Sequence, residues 1–423
     1  MSGHRSLVAP AVISVIALIA AACAPDDEEA APEEFSPGPL GAVTVAPDDP
    51  IMIGVIQAIS GDTASLGVDQ VRAIDLAIAD RGGELLGHPV ETQVEDDACL
   101  AEGGTTAAQA LVANPQVMGV LGTSCSGAAV PAMEILAETG IATISGSNTS
   151  PALTSDLEGT QGAANQPGYF RTSHNDVVQG QAAAEFAFTE LGAQRAATIH
   201  DGDPYTEGLA TAFGTSFTEL GGEVVLATAI SKGDTDMRPV LTEVAAATPD
   251  IVFFPIFQPE ADFIVQQAKD FPALAETQKM MGADGLLSDT FVVIPQTEGM
   301  YFSGPATPTG SAYEDFVAAY QAEFGEAPIQ AFHAHSYDAA NMLMDAVEEV
   351  AVEEDDGTLQ IDRQALMDQL YATEDFEGLT GTLTCDEFGD CADPKIDIVQ
   401  NTAEQQTIDQ VRGNVLFTFE PGE

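Results

Sequence analysis

The chain has 423 residues, with 12 basic and 67 acidic side chains and a formal net charge of −55. A surface this negative repels phosphate backbones and anionic headgroups, which excludes nucleic acid and membrane-surface electrostatics as partners. Hydrophobic content of 45% is ordinary, so the chain can bury a core, and at about 100–200 residues per domain its length suggests two or three domains.

Four Lys and eight Arg stand against all the acids. That imbalance costs self-repulsion at low salt and fits a salt-rich habitat or compositional drift equally. At the start, His4 and Arg5 precede an apolar run of 16 residues, Leu7 to Ala22, broken only by Pro10 and Ser14. The run is short for a bilayer span of about 20 residues and fits the core of a signal peptide, assigned to residues 1–22. Ala20-Ala21-Ala22-Cys23 resembles the bacterial lipobox, whose thiol is diacylated and becomes the new N-terminus. Ala20 stands where that motif usually has Leu, and an ordinary secretory signal with A-x-A cleavage is the alternative. Ala24–Pro50 holds six prolines and eight carboxylates in 27 residues and reads as a solvated tether. At about 5–6 Å × √n it would reach about 30 Å, so residues 23–50 are expected to form a lipid-anchored linker. Of five cysteines, setting Cys23 aside leaves four, which in an exported chain most simply form two disulfides. We pair Cys99 with Cys125 and Cys385 with Cys391. No stretch after residue 50 is long and apolar enough to cross a membrane, so an extracytoplasmic body is expected.

From residue 51 the pattern alternates between strand and helix. Ile51–Gln57 is a near-continuous apolar run, as in a parallel strand buried on both faces. Val71, Ile74 and Ile78 then mark one face of a helix ending at Gly82-Gly83. Strand Val90–Val94, helix Thr105–Ala113, strand Val117–Leu121, helix Ala128–Glu138 and strand Ile141–Ile144 follow. After a loop come helix Asp176–Leu191, strand Ala196–His200, helix Tyr205–Leu220, strand Glu223–Ile230 and helix Asp236–Ala247. Strand Ile251–Phe254, helix Glu260–Asp270 and strand Lys279–Met281 complete the alternation, which implies parallel sheets covered on both sides. None of the 39 glycines forms a G-x-G, which argues against a dinucleotide fingerprint.

Tyr169–Thr172 separates the first helix–strand series from the second. Gly299–Pro305 ends the second, and helices Ser311–Glu323 and Ala331–Val350 follow. Gly378–Thr384 precedes the Cys385–Cys391 turn and two late strands, Lys395–Gln400 and Val411–Phe419. Three passages between two Rossmann-like α/β lobes imply a three-segment hinge and a cleft. The lobes are assigned to residues 51–171 plus 305–381, and 172–304 plus 382–420. Open α/β sheets bind ligands at the carboxyl ends of their strands, so loops of both lobes would point into that cleft.

The segments DDACL (Asp96–Leu100), TSCSGAAVPA (Thr123–Ala132) and ISGSNTSPALT (Ile144–Thr154), followed in order by FRTSHND, TIHDGDPYTEGLA and GMYFSGP, together resemble the type I periplasmic-binding-protein family. The resemblance is to the substrate-binding proteins of branched-chain amino acid ABC transporters and runs from about Ile51 to Phe419. It implies a monomeric receptor, tied to the membrane through its lipid anchor only, that passes a small amino acid ligand to ABC permease subunits. It also implies no enzymatic activity, no metal and no cofactor, and it favours the Cys99–Cys125 pairing.

A free amino acid carries an ammonium and a carboxylate on adjacent atoms, and burying either unpaired costs several kcal/mol. Ser126 follows a strand and opens a helix, where a hydroxyl and backbone N–H groups can meet an anion. Thr149 lies in the next strand-to-helix loop, with Ser147 and Asn148. On these residue types alone, helix capping is the competing role. The resemblance assigns Ser126 and Thr149 to the ligand carboxylate and the Ser147 carbonyl to the ammonium, with Asn148 counted in the same site. It also implies that Asp284, where the family commonly carries Glu, pairs with the ammonium, and that Tyr205 closes over the ligand from the second lobe. Leu66 and Phe257 stand where the family often has an aromatic and a tyrosine, which makes the pocket more apolar and suits an aliphatic or small aromatic amino acid. A sensor subunit of the same fold, binding of urea or short amides, and an amidase-like hydrolase are the alternatives. For the hydrolase, no G-x-S-x-G elbow surrounds Ser124 or Ser126. His333 and His335 are two residues apart on a helix and point to opposite sides.

Overall fold

The computed structural model describes residues 35–275, 279–402 and 407–422. The signal peptide and Cys23 therefore lie outside the described residues. Pro37–Glu423 forms one compact unit built on two large sheets.

The first sheet grows from the apolar run Ile51–Gln57, which is buried almost throughout. Its six strands lie in the order Glu84–Leu85, His88–Asp96, Ile51–Gln57, Val117–Gly122, Ala142–Ser145 and Tyr169–Arg171. All neighbours are parallel except the short Glu84–Leu85 hairpin. Ile51 lies opposite Val90 on one side, and Val55 opposite Leu121 on the other. Strand order therefore reverses at Ile51–Gln57, which opens a crevice beyond its carboxyl end. Helix His333–Val350 packs its apolar stripe against this sheet, with Leu343 and Val347 fully buried beside Ile53 and Leu121.

The second sheet has seven strands in the order Val415–Phe419, Ile396–Gln400, Tyr301–Pro305, Met280–Gly282, Ile251–Phe253, Arg195–His200 and Glu223–Ala229. Here the order reverses at Arg195–His200, again leaving a crevice. The last two strands in the chain pair antiparallel. The chain passes between the sheets three times, after Tyr169–Arg171, after Tyr301–Pro305 and after Gly381–Leu383. Arg171 is fully buried at the first passage. Its guanidinium pairs with Asp390 in the loop closed by the Cys385–Cys391 disulfide and donates to the Ser150 carbonyl at 2.9 Å. The Cys99–Cys125 disulfide ties the loops at the carboxyl ends of His88–Asp96 and Val117–Gly122.

The structure corrects three expectations. The tether does not extend to Pro50, because Ala42–Val45 pairs antiparallel with Leu359–Asp362 and buries Val43 and Val45 in the first lobe's core. That strand is too short to stand out among six prolines. The expected strand Val411–Phe419 begins as helix Ile408–Arg412 and becomes a strand only at Val415–Phe419. Thr407 caps that helix while Ile408 and Val411 turn inward together, a spacing of three that alternation cannot accommodate. Helix Asp176–Leu191 changes character at Phe186, where Phe186–Glu190 widens into a π-turn. Among the described residues no helix is long and apolar enough to cross a membrane.

Candidate functional site

The two crevices share one cavity, lined from both sheets. From the first come Leu66 on helix Ala64–Asp80, Ser124 to Ser126 after Val117–Gly122, and Ser147 after Ala142–Ser145. From the second come Tyr205 in the first turn of Pro204–Glu219, Phe257 after Ile251–Phe253, and Asp284 after Met280–Gly282. Six of the eight ligand residues expected from sequence (Leu66, Ser126, Ser147, Tyr205, Phe257 and Asp284) thus lie on one wall or the other.

Asn148 and Thr149 do not. The Asn148 side chain turns inward to the Thr123 carbonyl at 3.0 Å and the Tyr169 hydroxyl at 3.3 Å. Thr149 is buried behind the wall, its carbonyl accepting from the Asp176 N–H at 2.9 Å. Both brace the loop that presents Ser147.

On the first wall, helix Ser126–Glu138 starts at the cavity. Cys125 occupies its N-cap position with extended backbone and no side-chain cap bond, so Ser126 is not the capping residue. The Ser126 hydroxyl instead accepts from the Ser150 N–H at 3.3 Å. Unpaired N–H groups of a first turn and the positive end of the helix dipole make this end a place for an anion. The Ser147 hydroxyl donates to the Ser124 carbonyl at 2.8 Å, and the Ser147 carbonyl accepts nothing from the described residues.

On the second wall, Asp284 is the only carboxylate among the lining residues apart from Asp62. Its Oδ1 accepts from the Tyr205 hydroxyl at 3.0 Å and from the Gln179 amide at 2.7 Å. Its Oδ2 takes no bond from the described residues. Burial pushes the carboxyl up to about 6, against the two donors, which favour the charged form. Gly304 lets this carboxylate approach the neighbouring strand, since a Cβ there would sit 3.3 Å from the Asp284 Cβ. The Tyr205 and Phe257 rings lie 5.1 Å apart. With Leu66, Phe332 and the Cys99–Cys125 disulfide, Phe257 forms an apolar wall.

Phe332 and Gln330 were not singled out from sequence as site residues. They precede a helix that begins beyond the second passage between sheets, and only the return of the chain brings them to the cavity. The polar groups beside them are already engaged. Gln330 donates to Ser65 at 2.8 Å, and Gln258 accepts from Ser288 and Thr290 at 3.1 and 2.7 Å. His333 lies outside this cavity, bonded through its ring nitrogens to the Gln330 carbonyl at 2.6 Å and the Tyr313 hydroxyl at 2.9 Å. Among the described residues no cluster of three or more His, Cys, Asp and Glu side chains is placed to hold a metal ion.

Contacts also cross the cleft beside the cavity. The Ser150 hydroxyl donates to the Pro204 carbonyl at 2.9 Å, and Gly127 lies directly against the Asp203 carboxylate.

Two α/β sheets crossed three times by one chain, with a cavity at both strand-order reversals, define a two-lobed binding protein. A family model described as periplasmic binding protein matches residues 50–392, and the chain belongs to that family. It is 27% identical over 354 residues to Leu/Ile/Val-binding protein homolog 3 of Brucella melitensis, covering 82% of this chain and 90% of that one. A leucine-binding protein crystal structure from Thermotoga maritima has the same fold, with a TM-score of 0.74, 24% identity, and coverage of 88% of this chain and 99% of that one. A solute-binding protein of an ABC transporter from R. palustris, solved with benzoate, is similar at a TM-score of 0.68 and 22% identity over 87% of this chain and 95% of that one.

Proposed function

We propose that this protein is the extracytoplasmic receptor of an ABC transporter and that its ligand is an α-amino acid with an apolar side chain, held between lobes 51–171 plus 305–381 and 172–304 plus 382–420. The observation that carries this reading is a buried carboxylate, Asp284, across the cavity from the N-terminus of helix Ser126–Glu138, with no Lys or Arg among the described lining residues. A zwitterion satisfies both ends. Its carboxylate meets the Ser126 hydroxyl and the helix N–H groups, and its ammonium meets Asp284 Oδ2 and the Ser147 carbonyl. Benzoate, the ligand of one structural relative, would satisfy only the anion end and leave Asp284 to stay protonated.

The side chain would lie against Leu66, Phe257 and Phe332. The neighbouring amides of Gln258 and Gln330 are each already engaged within the protein, Gln258 accepting from Ser288 and Thr290 and donating to Asp262, and Gln330 donating to Ser65. The mechanism we infer is closure about the three passages. The first lobe offers Ser126 and Ser147, closure adds Asp284 and Tyr205, and contacts made only in the closed state drive the equilibrium. Cys23 would carry the lipid anchor, with permease subunits receiving the amino acid. Thermal shift against the twenty amino acids and benzoate tests the reading. Stabilisation by aliphatic amino acids and none by benzoate is expected; a response to benzoate alone would refute it.

A further inference from the structure

We propose that Gln179 is the positioning residue of the ammonium site, clamping Asp284 so that one oxygen is held by the protein and the other is left for the ligand. The inference rests on the reading of Asp284 as the ammonium acceptor.

Gln179 is fully buried on helix Asp176–Glu185. Its Nε2 lies 2.7 Å from Asp284 Oδ1, 3.1 Å from the Ser303 carbonyl and 3.0 Å from the Ser303 hydroxyl. A backbone carbonyl and a carboxylate oxygen are both acceptors, so this end of the amide must be the NH₂ group. Turned over, the amide would set its own oxygen against theirs. The amide oxygen therefore faces His174 Nε2 at 2.5 Å, and this nitrogen must carry the proton. His174 is fully buried, and burial holds its imidazole down to about 4, so it remains a neutral donor across the ordinary pH range.

His174, Gln179 and Asp284 thus form one directed chain of hydrogen bonds from the first passage between lobes to the ligand cavity. Each member has a single workable orientation. The outcome is an Asp284 carboxylate whose Oδ1 receives two donors, Gln179 and Tyr205, and whose Oδ2 receives none from the described residues. Without the amide, Asp284 loses one of its two side-chain donors, both of which favour its charged form, and a contact that fixes its rotation. The other ionisable groups around it do not substitute. Asp176, on the same helix as Gln179, is itself a carboxyl pushed well above its ordinary value by burial and then by Asp284. Arg171 is committed to Asp390, and Tyr205 already donates to Asp284. His335, from helix His333–Val350, is held neutral by burial, down to about 3.

The test uses the mature full-length chain and its Gln179→Leu and Gln179→Glu variants, with L-leucine titrated calorimetrically from pH 5 to 9. Gln179→Leu should weaken leucine binding at least tenfold at pH 7.5 and move the midpoint of its pH dependence upward by about one unit. Gln179→Glu, nearly the same shape, places a second carboxyl against Asp284, and the pair should share a proton and bind leucine more weakly still. Equal weakening at every pH, with the midpoint unmoved, would show a merely structural role and overturn the proposal. A ligand-free arm follows the Asp284 carboxyl by infrared difference titration, assigned with Asp284→Asn, in the wild-type chain and Gln179→Leu. An upward move supports the clamp, and an unchanged titration overturns it. If the wild-type chain binds no amino acid, the functional reading fails, and this second arm still decides the role of Gln179.

Discussion

Asp284→Asn separates binding from folding. Raising a carboxyl from its ordinary 3.8 to about 6 corresponds to about 3 kcal/mol of strain on the unliganded fold once the group is ionised. The sign follows from proton counting. Between about pH 4 and 6 the folded chain holds a proton at Asp284 that the unfolded chain has released, so this group's contribution to stability falls as pH rises through that window and stays low above it. Asparagine removes the charge, and its side-chain oxygen can still accept from Tyr205 and Gln179. The unliganded variant should therefore be more stable than wild type by up to about 3 kcal/mol at pH 7.5, and nearly equal to it at pH 4. Amino acid affinity should move the opposite way. Removing one partner of a buried charge pair costs about 3–5 kcal/mol, a loss of at least a hundredfold. Urea melts at the two pH values, with and without leucine, measure both effects. A variant that binds leucine as tightly as wild type, or that is less stable than wild type at pH 7.5, would refute the reasoning.

The affinity of the wild-type protein for leucine should fall as pH drops through about 6, because a protonated Asp284 cannot meet an ammonium; calorimetry across pH 5 to 8 shows it, and a flat profile removes Asp284 from the site. Gly127→Ala should leave each lobe folded and weaken ligand capture, since the new Cβ would sit 2.2 Å from an Asp203 oxygen across the cleft. Asp203 cannot swing aside freely, because it caps helix Pro204–Glu219 and pairs with Lys232 at 2.7 Å. Disturbing a cap costs about 0.5–2 kcal/mol, so a loss of about three- to thirtyfold in affinity is expected, read by calorimetry beside an unchanged urea midpoint without ligand. Raising salt from 0.1 to 1 M should change leucine affinity less than twofold, because a neutral zwitterion feels little of the chain's long-range field; a steep salt dependence would point to an anionic ligand.

What was legible in the sequence is what physical pattern records locally. Ile51–Gln57 and Val117–Gly122 announce themselves as apolar runs because a parallel strand is buried on both faces. Loops at their carboxyl ends, with Ser126 and Ser147, follow from the alternation of strands and helices. The cavity residues that escaped notice owe their place to chain return. Phe332 and Gln330 are about two hundred positions from Ser126 and reach the cavity only through the second passage between sheets. Asn148 and Thr149 show the reverse case, expected at the cavity but absent from its lining. Sharing a loop with Ser147 says nothing of which way each side chain turns, and the buried Thr123 and Tyr169 hold the Asn148 side chain inward. The strand Ala42–Val45 and the helix Ile408–Arg412 were obscured for a similar reason, each being only one turn or a few residues long and fixed by a distant partner.

The scarcity of cations bears on how the proposed site would treat the two poles of a zwitterion. Of 12 Lys and Arg residues, seven are already paired with carboxylates in the described structure: Arg72, Arg81, Arg171, Arg195, Lys232, Arg238 and Lys395. A guanidinium at the anion end would bind a carboxylate strongly, but it would also attract every acid of the surrounding field, Asp284 first. Hydroxyls and a helix N-terminus hold an anion through partial charges that leave no net positive charge behind when the site is empty. The negative pole of the site can then be a full charge without collapsing onto its opposite wall. On the proposed reading, that asymmetry would favour a ligand that brings its own cation, with Asp284, whose carboxyl burial pushes up to about 6, as the group its ammonium would meet.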